Sequence, residues 1–229
     1  YYIDSTISYA ARSADNGKAM GKYMTRQGGK EIFFYLTILF FIVSLIGWGL
    51  ETVYFVIRWD TFIDRGFLTM PLCPIYGFCL IGIYLALGTP TQGRLAPLFE
   101  RAKGQKPAVR ALAYAGLFLL YFVIAALLPT VAELATGAFF DKVLGVKLWD
   151  YSYKKFDLFG YVSLDQTLQW GAMITLAMTF LWDPLFSLIK KIPSRAAKIV
   201  ACVLAALVLA DFVFNIVWLC GTGAHLDLY

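Results

Sequence analysis

Five ionisable residues are placed where an apolar chain could have done without them. Glu51 lies inside the run 32–57, which is otherwise apolar or small and polar and long enough to cross a bilayer. A carboxylate at that depth costs roughly 2.5–3.5 kcal/mol on insertion scales. Glu133 and Asp211 stand near the ends of later apolar runs, and Arg65 and Asp150 in the loops beside them. Asn215 follows Asp211 by one helical turn on the same face. Carboxylates at membrane depth can bind a cation or take up a proton, and a guanidinium can balance them or hold an anionic group. Tyr76, Trp149 and Tyr151 supply aromatic and hydroxyl groups nearby in the sequence.

The elements that position these residues read as an all-α, polytopic transmembrane helix bundle of about five spans: 32–57, 71–88, 109–136, 166–189 and 196–220. The second span opens with Pro71 and Pro74, which predicts a broken or kinked entry. In the third, Pro129 removes a backbone hydrogen bond four residues before Glu133. The 20 Lys and Arg residues divide 14 to 6 between the two sides, with five in residues 1–31, five in the second loop and four in the fourth. That asymmetry predicts a cytoplasmic N-terminal segment (1–31), a transmembrane domain (32–220) and a short extracytoplasmic tail (221–229). Glu51, Glu133, Asp211, Arg65 and Asp150 then fall on the extracytoplasmic side, while Asp183, before Pro184, belongs to a helix end on the other.

Composition supports this class: 60% of the 229 residues are hydrophobic and 15% charged, and the mean hydropathy is +0.68. A net charge of +5 is too small for a nucleic-acid footprint and reports topology and lipid contact instead. Cys73, Cys79, Cys202 and Cys220 lack metal-ligand spacing and read as small apolar filler, with a Cys73–Cys220 disulfide left open. His225 is the lone histidine, so no metal or other cofactor is expected. There is no GxSxG nucleophile motif, and Gly17-Lys18-Ala19-Met20-Gly21-Lys22 lacks the spacing of a phosphate-binding loop. If ATP drives the protein, a separate ATPase subunit hydrolyses it.

Two loops admit a plain reading beside a functional one. The stretch Arg65-Gly66-Phe67-Leu68-Thr69-Met70-Pro71-Leu72-Cys73-Pro74-Ile75-Tyr76-Gly77 is either a broken helix lining a cavity or a turn that caps the bundle, with Arg65 paired to Glu51. Trp149-Asp150-Tyr151-Ser152, followed by Lys154-Lys155-Phe156, suits an aromatic segment at headgroup level.

At these blocks the chain resembles the CmpB-like ABC-transporter type IV family of bacterial integral membrane proteins. The resemblance rests on Gly47-Trp48 with Glu51, Arg65-Gly66-Phe67-Leu68, Pro71, Cys73-Pro74-Ile75-Tyr76-Gly77, Glu133, Trp149-Asp150-Tyr151-Ser152 and Trp170-Gly171. Leu148, Met70, Asp157 and Tyr161 depart from the family's usual tryptophan, glycine, asparagine and arginine. The resemblance implies a permease-like membrane subunit of a transporter in a bacterial inner membrane, with the second loop (89–108) as the one candidate for docking an ATPase. Two alternatives stay open: a membrane-embedded enzyme acting on a lipid or envelope precursor, with a bound lipid beside Arg65, and a structural or regulatory subunit.

Overall fold

The computed structural model describes residues 26–62 and 66–226; Arg65, most of the N-terminal segment and the last three residues lie outside them. The apolar runs become helices: α1 (Arg26–Trp59), α2 (Pro74–Leu87), α4 (Pro107–Val143) and α7 (Ser194–Thr222). A further stretch, Leu164–Ile189, is continuous but changes winding: α5 (Leu164–Leu176), a π-helical turn (Ala177–Leu181) and α6 (Trp182–Ile189). Pro184 has no N–H for the Phe180 carbonyl, and the wide turn falls where the regular ladder is interrupted. Four of these helical stretches are long and apolar enough to cross a membrane. The fifth, α2, has 14 residues, so at helical rise it covers only about 21 Å.

The missing length is made up by irregular chain. Residues 66–73 run between the bundle helices before α2 starts, with Pro74 at its first turn where a missing N–H costs nothing. Leu68 and Leu72 are buried with Phe41 against Leu204 and Val208, and Phe67 is buried with Phe140 and Leu219. The segment is therefore wedged between α1, α4 and α7. Part of its backbone is bonded to protein, as bilayer depth favours: Cys73 N–H donates to the Ser44 carbonyl at 3.0 Å and Leu72 N–H to that of Met70 at 2.7 Å.

α1 packs on α2, α6 and α7, and α4 packs on α2 and α5. One buried cluster joins them, including Leu39, Ile83, Tyr121, Trp170, Met178 and Trp182. The α1–α2 approach is close because of Gly47 and Gly77. A Cβ at Gly47 would stand 2.3 Å from the Tyr76 ring, and one at Gly77 2.5 Å from Phe40. At the far end of the bundle the 88–106 loop is tightly made. Gly88 has φ +73, and a Cβ on Gly93 would meet the Leu87 carbonyl at 2.0 Å. That loop contains a helix unforeseen in the sequence, α3 (Ala96–Lys103), whose Phe99 is buried against Tyr114 and Phe118 of α4. Gln92 donates to Asp183 at 2.9 Å, tying the loop to the first turn of α6.

The Tyr121 hydroxyl, fully buried, donates to the Gly88 carbonyl at 2.8 Å and holds this loop to α4. Tyr121→Phe is expected to lower stability by about 1 kcal/mol, since it strands one carbonyl. A thermal midpoint unchanged from the parent protein would refute the anchoring role.

Candidate functional site

Between residues 144 and 163 the chain forms a small cap on the end of the bundle where α1 finishes and α2 begins. Its core is an antiparallel pair, β1 (Asp157–Leu158) with β2 (Val162–Ser163). Trp149 donates its indole N–H to the Tyr161 carbonyl at 2.8 Å, and Tyr151 N–H bonds the Gly160 carbonyl at 2.8 Å. Tyr161 donates its hydroxyl to Asp141 at the end of α4. Gly137, one turn earlier, gives its ring room: a Cβ there would lie 3.1 Å from it.

Beneath the cap lies the polar group. Glu51 is one helical turn beyond Gly47, on the face against which α2 packs. The Tyr76 hydroxyl lies near the Glu51 carboxylate, and the Tyr76 ring rests on that of Trp170 with centroids 4.7 Å apart. The Trp170 indole lies beside Glu133, whose field is shared with the Glu51 carboxylate and the Lys154 ammonium. Glu133 is only 5% exposed, and its Oε2 has no hydrogen-bond partner among the described residues. Trp170 reaches it because α5 approaches α4 closely at Gly171, where a Cβ would meet Ala126 at 2.9 Å. The Thr130 and Thr167 hydroxyls, hydrogen-bonded at 2.9 Å, also bridge these helices.

Lys154 connects the cap to this group. Its ammonium bonds Asp165 at 2.7 Å and Gln166 at 3.2 Å and sits 4.8 Å from the centre of the Tyr151 ring. The Gln166 amide donates to the Tyr151 hydroxyl at 3.1 Å, and Tyr151 lies within electrostatic range of Tyr76. Glu51, Tyr76, Glu133 and Tyr151 are thus brought together, with Trp170, Lys154 and Gln166 added.

The other expected residues are placed differently. Asp211 forms a second polar group: its carboxylate accepts from the Thr69 hydroxyl, from Met70 N–H at 3.0 Å and from the Asn215 amide at 3.2 Å. Asn215 is 2% exposed, and its own Oδ1 is unpartnered among the described residues. Asp211 and Asn215 therefore anchor the 66–73 segment. Trp149 holds the cap together. Asp150 turns to its own loop, accepting from Ser152 N–H at 2.9 Å and pairing with Lys147 at 2.8 Å, with nearly half its side chain exposed. Arg65 lies outside the described residues.

Hydrogen bonds from Lys147 and then Ser152 hold the Asp150 carboxyl down at about 2. A depressed acid contributes its stabilisation above its ordinary pKa and loses it as pH falls through the depressed value. Amide exchange in 149–163, corrected for its intrinsic pH dependence, is accordingly expected to stay flat from pH 7 to 4 and to rise only towards 2. Asp150→Asn should reduce that acid step without abolishing it, since Asp141 and Asp165 also hold the cap, and a cap that loosens near pH 4 would contradict the assignment.

The sequence model of the family described as "Putative ABC-transporter type IV" matches residues 38–216, which take in both polar groups and the cap. The chain belongs to this family. No curated protein and no solved structure matches it. The family match covers every block on which the resemblance was read, from Gly47 to Gly171. It agrees with the bundle in making this an ABC-transporter-type membrane protein. Glu133 and Trp170 were each legible in the family blocks, but nothing in the sequence said that the two lie together. Lys154 and Gln166 carried no signal, since polar residues beside aromatics also suit a membrane surface.

Proposed function

We propose that the chain is the permease-like subunit of a transporter. Its cargo or coupling-ion site would lie between Glu51 and Glu133 in the outer half of the bilayer, with a separate ATPase docking at the opposite end. The observation that carries this reading is Glu133: a carboxylate 5% exposed, one oxygen unpartnered, beside a second carboxylate and an aromatic pair. A bundle built only for stability gains nothing from such a group, because an unsatisfied buried polar atom costs about 1–3 kcal/mol. Carboxylates at this depth favour a cation or a proton over an anion. The Lys/Arg asymmetry supports a cytoplasmic N-terminal segment and an extracytoplasmic tail. It puts α3 on the cytoplasmic side, where Phe99 fixes the helix to α4 and leaves Leu98, Glu100, Arg101 and Lys103 outward.

The test is purification of the full chain in nanodiscs under mild conditions, with mass spectrometry of what accompanies it. A stoichiometric nucleotide-hydrolysing subunit is expected, and Arg101→Glu with Leu98→Asp should release it. Glu133→Gln should keep the assembly intact and depress its coupled ATP hydrolysis at least tenfold. A monodisperse chain with no such subunit would overturn the reading.

A further inference from the structure

The cap does more than cover the polar group. We propose that the groove between its hairpin and the start of α5 binds one anionic phospholipid from the leaflet at that end. The groove has a volume of about 350 Å³ and is lined by Lys154, Lys155, Phe156, Leu164, Asp165 and Leu168. Its two halves differ in chemistry. Leu164 and Leu168, both exposed, are one turn apart on α5 and begin an apolar side that continues down the helix through Leu176. Because Leu164–Ile189 is long and apolar enough to cross a membrane, that side is where acyl chains run. The rim carries two ammonium groups. Lys154 is paired with Asp165, whereas Lys155 is exposed and forms no ion pair among the described residues, so one positive charge is left for a phosphate.

The hairpin is strained in a way that favours this use. Phe156 and Phe159 hold φ of 59° and 58°, a left-handed region that bulky L residues rarely adopt. The usual occupants of such turn positions are Gly, Asn and Asp. Folding the hairpin this way leaves Phe156 and Phe159 nearly four-fifths exposed beside Tyr153, an arrangement water would not reward. Acyl chains and the headgroup boundary would reward it, and aromatic residues flanked by lysine suit that depth. Strain of this kind persists where the surroundings over-determine it and clusters at ligand contacts. Lys154 lines the groove and also reaches the Glu133 field, so a bound headgroup would bear on the polar group through that one side chain. The lipid site stands whether or not the chain is a transporter subunit.

The full chain is purified in detergent, and equimolar phosphatidylglycerol and phosphatidylcholine are added. Lipids retained per chain are then counted by native mass spectrometry. We expect one phosphatidylglycerol retained about fivefold in preference to phosphatidylcholine, the effect of one lysine beside an anionic headgroup. Lys155→Glu should abolish the preference. Leu168→Trp, which fills the groove, should remove the retained lipid with helix content and monodispersity unchanged. If Leu168→Trp does not fold, Lys155→Glu decides alone. Equal retention of the two lipids, or a preference that survives Lys155→Glu, or lipid still held by a folded Leu168→Trp, overturns the proposal.

Discussion

Replacing Asp211 with alanine is expected to free the 66–73 segment and expose Cys73. Three donors converge on this one carboxylate: the Thr69 hydroxyl, the Met70 amide and the Asn215 side chain. In the variant the first two lose their acceptor inside a wedge closed by Phe41, Leu72, Leu204 and Val208, where water is scarce. Stranded donors cost about 1–3 kcal/mol each, so a combined loss near 3 kcal/mol raises the open fraction roughly a hundredfold. Cys73 reports it directly. It is 5% exposed and directly precedes α2. In a background where Cys202 and Cys220 are alanine, maleimide should label Cys73 slowly in the parent and many times faster in Asp211→Ala. Asp211→Asn retains one acceptor oxygen and should fall between the two. Labelling at the parent rate in Asp211→Ala would show that apolar packing alone holds the segment, and that the carboxylate is free for another task.

This residue also shows where sequence reading reaches its end. Its cost at membrane depth was visible, but the sequence gives no way to tell a carboxylate kept for a ligand from one kept for a loop 141 residues away. Glu51 and Glu133 were singled out by the same argument, and each acts on the other's field, because Gly47 lets α1 close on α2 and Gly171 lets α5 close on α4 at that level. Asp150 stood out for lying between aromatics. Asp-Tyr-Ser is also a local turn in which the carboxylate caps the amide two residues on, and that short-range bond holds it here.

The helices themselves were legible because the apolar runs are long, and so was the irregular entry to α2, from Gly66, Pro71 and Pro74. Prolines misled where they begin a helix instead of ending one. Pro97 and Pro107 sit in the first turns of α3 and α4, so a loop that reads as proline-rich contains an ordered helix. Pro129 is passed without a break, and α4 runs on to Val143, seven residues beyond the expected end. The Thr130 hydroxyl bonds the Ala126 carbonyl beside that proline, one of the ways a helix under tertiary packing tolerates it.

Gly47→Ala should be among the most damaging single-methyl changes in the chain. The added carbon would lie 2.3 Å from Tyr76 Cγ, 2.5 Å from Cδ2 and 2.8 Å from Cβ, distances that require something to move. Little can. The Tyr76 ring is backed by Trp170, Trp170 is buried against the α4–α5 seam, and Gly77 presses the next residue of α2 onto Phe40. Overpacking a core costs about 1–3 kcal/mol, and a site with no room to relax belongs at the top of that range. A clear fall in thermal midpoint and in folded yield is therefore expected. The clash is with one ring, so the damage should depend on it. In a Tyr76→Ala background the two shortest contacts vanish, and adding Gly47→Ala should cost at least about 1.5 kcal/mol less than it does alone. Equal costs in the two backgrounds would mean that the glycine serves α1 itself. Strong coupling would mean that it serves the Tyr76 ring. The sequence would then hold position 47 open so that a hydroxyl can lie near Glu51 while an indole lies beside Glu133.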